Sequence, residues 1–106
     1  MPFRSRIFGV VREAESGRPL AGLRVRAFDK DVFFDDALGA ATTDAAGRFE
    51  IDFTELKFRD VLEQRPDLYL RVLSPGEERE IFVTSVRRDA KGDEDFEVRI
   101  PRASLG

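Results

Sequence analysis

Four aspartates bracket a pair of phenylalanines in the stretch Phe28 to Gly39, FDKDVFFDDALG. Carboxylate oxygens suit a hard cation such as calcium, which takes about six to eight of them, so Asp29, Asp31, Asp35 and Asp36 form a candidate calcium site. The calcium loop of an EF-hand is excluded, because Phe33 and Phe34 stand where that loop needs Asp or Asn and then Gly. The competing account treats the aspartates as turn formers and solubilising groups, with Asp29 and Asp31 alternating with Phe28 and Lys30 as a strand end would. Phe33 and Phe34 carry a separate reading. Adjacent rings on an extended chain point to opposite sides, so one covers the core while the other is left as an anchor for a partner protein. Insertion into a membrane is disfavoured, since the flanking aspartates are repelled by anionic lipid.

Other chemistry is limited by what the chain lacks. It has no histidine and no cysteine, so the usual general base at neutral pH and the strongest nucleophile are both missing. A Ser-His-Asp relay, a thiolate metal site and a disulfide framework are excluded with them. Carboxylate pairs, three lysines (Lys30, Lys57 and Lys91) and the single tyrosine, Tyr69, remain. A hydrolase built on carboxylates alone needs a deep cleft, which a small sandwich rarely offers. The expectation is therefore no catalytic residue, and a chain that is not an enzyme.

The elements that position these residues follow a period of two. Leu23, Val25 and Ala27 alternate with Arg24 and Arg26; Phe49, Ile51 and Phe53 with Glu50 and Asp52; Leu68, Leu70 and Val72 with Tyr69 and Arg71; Phe96, Val98 and Ile100 with Glu97 and Arg99. Such alternation marks strands with one face buried and one in water. Seven runs are expected, at about 6–12, 22–29, 37–43, 48–53, 67–73, 79–84 and 94–100. In TDAAGRF, Asp44 opens a type I turn and Gly47 takes the left-handed position. In SPGEE, Pro75 and Gly76 form the centre of another turn. TELKFRDVLEQ, residues 54–64, breaks the alternation: Thr54 is a plausible N-cap and Pro66 stops the segment, which reads as a short helix between strands four and five. Arg24 and Arg26 on one strand are expected to form a ladder of opposite charge with Glu50 and Asp52 on another. Tyr69, facing outward, is expected to pack under the helix.

At 106 residues, the chain fits one domain covering 1–106. Gly9-Val10-Val11, Ser16 to Gly22 (SGRPLAG), Val25 and Thr43 to Phe49 (TDAAGRF), in that order, resemble the transthyretin-like superfamily, especially its carboxypeptidase-regulatory-like domains. DKDVFFDDALG and Pro66 to Val72 are similar to the transthyretin-like subgroup. The resemblance implies an all-β fold: a seven-stranded antiparallel Greek-key sandwich of prealbumin type with one short helix. It also implies tests of activity. Hydroxyisourate hydrolases of this superfamily use histidines and a Tyr-Arg-Gly-Ser tail, and intradiol dioxygenases hold iron with two tyrosines and two histidines. This chain has neither set. The acidic stretch is similar to the calcium loop of C2 domains, although the hairpin at Thr43 to Phe49 and the short length do not fit that fold.

Charge and length shape the partner expectation. Charged residues make up 37% of the chain yet the net charge is only −3, which argues against a basic nucleic-acid footprint. Nothing is long and apolar enough to span a bilayer, and the start lacks a signal-peptide run. The expected partner is another protein or a fused domain, met through end loops or a strand edge, with homodimerisation left open. The expected compartment is the cytoplasm by default, with a signal-independent export route or a longer parent chain as alternatives. Calcium is the one cofactor considered.

Overall fold

Strand faces follow from which side chains can leave water. In the computed structural model, which describes residues 4–30, 35–54, 67–88, 90 and 93–106, the alternating runs become β1 (Arg4–Glu13), β2 (Arg24–Asp29), β3 (Asp36–Thr42), β4 (Arg48–Thr54), β5 (Leu68–Leu73), β6 (Glu80–Val83) and β7 (Asp93–Ile100). A short α1 (Arg102–Leu105) follows β7. The strands form two sheets, ordered β4-β1-β7 and β3-β2-β5-β6. Ile7, Val11, Val25, Ala27, Leu68, Leu70, Val72, Val98 and Ile100 bury their side chains between the sheets, at 2% exposure or less. Each large aliphatic chain removed from water this way contributes about 1.5–3 kcal/mol. Most of the outward residues between them stay at least partly in solvent, so the fold is a mostly-β protein of two packed sheets.

The expectation of wholly antiparallel pairing is corrected at one place. β1 and β7 run parallel, in register from Arg6 opposite Asp93 to Glu13 opposite Ile100. A parallel pair needs a long crossover instead of a hairpin, and here the whole run from β2 to β6 lies between the two partners. The remaining ladders are antiparallel.

Thr54 closes β4; the segment expected to follow it as a helix lies outside the described residues. The turns form as their residues dictate. Asp44 accepts the N–H groups of Ala46 and Arg48 through Oδ1, both at 2.9 Å, while Gly47 sits at φ +77°, where a side chain is disfavoured. Pro75-Gly76-Glu77 forms a 3₁₀ turn, with Gly76 at φ +80°. Glu77 follows at φ +60°, a conformation that costs a non-glycine residue about 1 kcal/mol. Its side chain shows what holds it there. Glu77 accepts hydrogen bonds from Arg24 Nε at 3.0 Å and Arg26 Nη1 at 2.9 Å.

Candidate functional site

The end of the sandwich that carries the acidic stretch is built by the tails of β2 and β5. The Lys30 N–H donates to the Asp67 carbonyl at 2.8 Å, and the Asp67 N–H donates back to Asp29 Oδ1 at 2.9 Å. Asp29 is therefore a buried carboxylate, 8% exposed, that ties two strand ends together. Asp35 accepts a hydrogen bond from the Tyr69 hydroxyl and lies 3.7 Å from Lys30 Nζ. Asp36 is exposed and stands opposite Asp29 in the β2–β3 register. Asp31, Phe33 and Phe34 lie outside the described residues. Among the described residues no group of three or more acidic side chains gathers to hold a metal ion. Two of the four candidate aspartates thus have protein donors as partners.

Tyr69 is outward-facing, as expected, but only 4% exposed. Its described packing partner is Phe28, whose ring lies 5.4 Å away and nearly parallel. The Arg71 guanidinium spreads over both rings, 5.1 Å from Phe28 and 5.7 Å from Tyr69, a favourable cation–aromatic arrangement. Arg71 also donates to the Tyr69 oxygen at 3.3 Å and to Glu80 at 2.9 Å, while its Nε is buried with no partner among the described residues. Burial, and then the bond to Asp35, push the Tyr69 phenol above its usual value of 10.0. This makes the phenol a packing and tethering group that stays protonated.

The expected charge ladder takes a different form. Arg24 and Arg26 lie in one sheet while Glu50 and Asp52 lie in the other, so they cannot face each other. Glu77 meets both arginines instead, and Glu50 pairs with Arg6 at 3.6 Å. Arg87 and Arg88 pair with Glu94 at 3.2 Å and Asp67 at 3.0 Å.

One polar cluster was not foreseen. Glu13 is 4% exposed and accepts hydrogen bonds from Ser16 Oγ at 2.6 Å, Arg102 Nε at 3.1 Å and Arg102 Nη2 at 3.0 Å. The Arg102 bonds, then the Ser16 bond, lower its carboxyl from 4.5 to about 2. The Arg102 N–H donates to Glu15 Oε1 at 2.9 Å, and Arg79 holds the carbonyls of Ser104 and Leu105, both at 3.2 Å. The last residues therefore bridge β1 to β6. Only the Glu13-to-Ser16 spacing, typical of a turn, hinted at this in the sequence.

Two depressions mark the outer surface. A groove of about 670 Å³ is lined by Phe8 and Val10 of β1 and by Arg48, Glu50 and Asp95, and reaches across the β4 margin to Ala41 and Thr42 of β3. A slot of about 230 Å³ lies between β6 and β7, lined by Phe82, Thr84, Arg87, Phe96, Glu97 and Val98.

No family model matches the chain, and no curated protein matches it. Solved structures similar in fold include two enzymes. The 9R-lipoxygenase from Cyanothece PCC8801 superposes with a TM-score of 0.71 and 24% identity, over 90% of this chain and 16% of that one. The chlorocatechol 1,2-dioxygenase from Pseudomonas putida superposes with a TM-score of 0.57 and 14% identity, over 95% of this chain and 61% of that one. The chain therefore spans a small part of the first protein and under two thirds of the second.

Proposed function

We propose that this chain is a non-enzymatic accessory module: a transthyretin-like, Greek-key sandwich of prealbumin type that docks onto another protein or onto a fused domain. The observation that carries the reading is the pair of unequal coverages, because the same two-sheet unit recurs as a fraction of two larger enzyme chains, 16% of one and 61% of the other. A fold used that way can serve as an attachment while the chemistry resides elsewhere. The inventory of side chains supports it, since a chain with no histidine or cysteine has few means of acid–base or nucleophilic catalysis near neutral pH. Docking proceeds through end loops or a strand edge, with Phe33 and Phe34 as the aromatic anchors of the loop.

The test is retention of a partner from an extract of the native host by the immobilised protein, compared with the Phe33→Ala/Phe34→Ala variant and read by mass spectrometry. The expected result is a partner retained by the wild type and reduced about tenfold or more by the double variant. Equal retention by the two proteins would remove the aromatic tip from the account, and turnover of a substrate by the purified chain would overturn the non-enzymatic reading.

A further inference from the structure

Each sheet of a sandwich ends in two edge strands, whose outer N–H and C=O groups need a partner or protection. Here those strands are β4 and β7 in one sheet and β3 and β6 in the other. On one side the sheets are drawn together at Gly39 of β3, where an added Cβ would come within 2.7 Å of Ile51 on β4, and the groove beyond it, at Ala41, Thr42 and Arg48, is bordered by side chains of both signs. On the other side β6 is short, its pairing with β5 slips at Val72/Leu73, and Arg79 beside it is engaged by the C-terminal carbonyls. β7 differs. It is eight residues long, and beside it lies the 230 Å³ slot.

The backbone of β7 is sided. The Ile100 carbonyl accepts from the Ala14 N–H, which turns Ile100 towards β1, and the alternation of a regular ladder turns Phe96 and Val98 the same way. The backbone groups of Asp95, Glu97 and Arg99 then point off the free edge. Asp95 confirms this, because its carbonyl accepts a hydrogen bond from Arg87 Nη1 at 2.7 Å. Arg87 lies across the slot with its guanidinium 3.8 Å from the centre of the Phe96 ring, so a side-chain N–H already occupies the first edge acceptor. Among the described residues nothing pairs with the backbone of Glu97 or Arg99. The side chains alternate as well: Phe96 and Val98 are buried, and Asp95 and Glu97 are exposed. Asp95 has no side-chain partner among the described residues.

The geometry points to the free edge of β7 as a strand-addition site for an extended segment of a partner protein in which apolar and basic residues alternate. The inference rests on the accessory-module reading and names the edge and the chemistry of its ligand. The added strand places its apolar side chains in the slot beside Phe82 and Phe96. Its Lys or Arg side chains lie opposite Asp95 and opposite Glu97, whose carboxylate they share with Arg99 Nη2 at 3.0 Å, and its backbone takes the free groups of Glu97 and Arg99. The charges on β7 that keep the edge from pairing with an uncharged strand are the ones that select a basic one.

The probe is a capped peptide of about seven residues, alternating valine and lysine, the length of an ordinary strand. A matching peptide carries N-methyl groups on the amides that face β7. Fluorescence anisotropy measures binding, and NMR hydrogen exchange follows the Glu97 and Arg99 amides. The expected result is saturable binding, slower exchange at both amides, and affinity about tenfold lower for the N-methylated peptide. Asp95→Lys, an exposed change that leaves the fold intact, is expected to weaken binding by about tenfold as well, whereas Arg24→Ala in the other sheet leaves it unchanged. Glu97→Pro, which deletes an edge donor without touching the β1 ladder, adds a backbone test where circular dichroism shows that it folds. Equal binding of the two peptides, or unaltered exchange at Glu97 and Arg99, would overturn the assignment. Failure here leaves the module reading standing, because the partner-retention experiment addresses that reading separately.

Discussion

Gly9→Ala should be among the most damaging conservative changes in the domain, for a reason confined to one ladder. Gly9 lies in the middle of β1, opposite Phe96 in the parallel pairing with β7. A Cβ at this position would fall on the Phe96 carbonyl oxygen, with the Phe96 carbonyl carbon at 2.8 Å and its nitrogen at 3.1 Å. These are backbone atoms, so no rotamer change relieves the overlap. Ordinary contact needs about 3.4 Å or more, so the overlap with the carbonyl oxygen forces the strands apart by more than about an ångström. Overpacking of this kind costs about 1–3 kcal/mol, and the strained hydrogen bonds on either side add a share of about 0.5–1.5 kcal/mol each. The estimate is about 2–6 kcal/mol, or about 8–24 °C in melting temperature for a domain of this size. The comparison is Gly39→Ala, whose Cβ meets the Ile51 Cγ2 at 2.7 Å, a single side-chain methyl that a small shift of the buried isoleucine can move, at about 1–2 kcal/mol. Calorimetric melting of the three proteins decides the matter. If Gly9→Ala melts with the wild type, or above Gly39→Ala, the tight β1–β7 approach is wrong.

Two further predictions concern protons. Glu13 has its carboxyl lowered from 4.5 to about 2 by Arg102 and then Ser16. The stability it contributes is therefore complete above about pH 4.5 and is lost as the pH falls towards 2. Melting curves of the wild type and Glu13→Gln should differ most above that window and converge within it; parallel curves would refute the assignment. Tyr69 is the one tyrosine and there is no tryptophan, so ultraviolet absorbance reports its ionisation alone. Burial and the Asp35 bond raise it above 10.0, so the folded protein should hold the proton at a pH where the unfolded chain has released it, and stability should fall as the pH rises past about 10. Tyr69→Phe should remove that alkaline slope and cost about 1 kcal/mol near neutrality. Titration of the folded phenol at or below its ordinary value would sink this.

The strands and turns were legible because their causes are local. An inward residue at every second position, as in Val25 and Ala27 or Phe96 and Val98, has one way to hide from water. A glycine after Asp44 or Pro75 closes a turn through backbone freedom alone. Elements whose causes lie far along the chain were not legible. Glu77 meets Arg24 and Arg26 across more than fifty residues, with separations of 53 and 51, so no spacing rule pairs them. Glu13 becomes a buried acid through Arg102, 89 residues away. The aspartates of the acidic stretch look alike as letters, yet Asp29 serves the Asp67 amide and Asp35 serves the Tyr69 hydroxyl.

The same distinction explains why function was harder to read than fold. An alternating segment such as Asp95 to Ile100 has one sequence whether it lies inside a sheet or at its margin. What makes it a candidate docking element is its neighbours: β1 on one side, an unfilled slot on the other, and an arginine side chain where a strand amide would sit. Free backbone valence belongs to topology, and topology is where sequence alternation misled, since the antiparallel expectation fails at the parallel pairing of β1 with β7. Reversing β7 beside β1 would put a different set of its carbonyls on the open margin, so the polarity of this one pair decides which groups the domain offers to a partner.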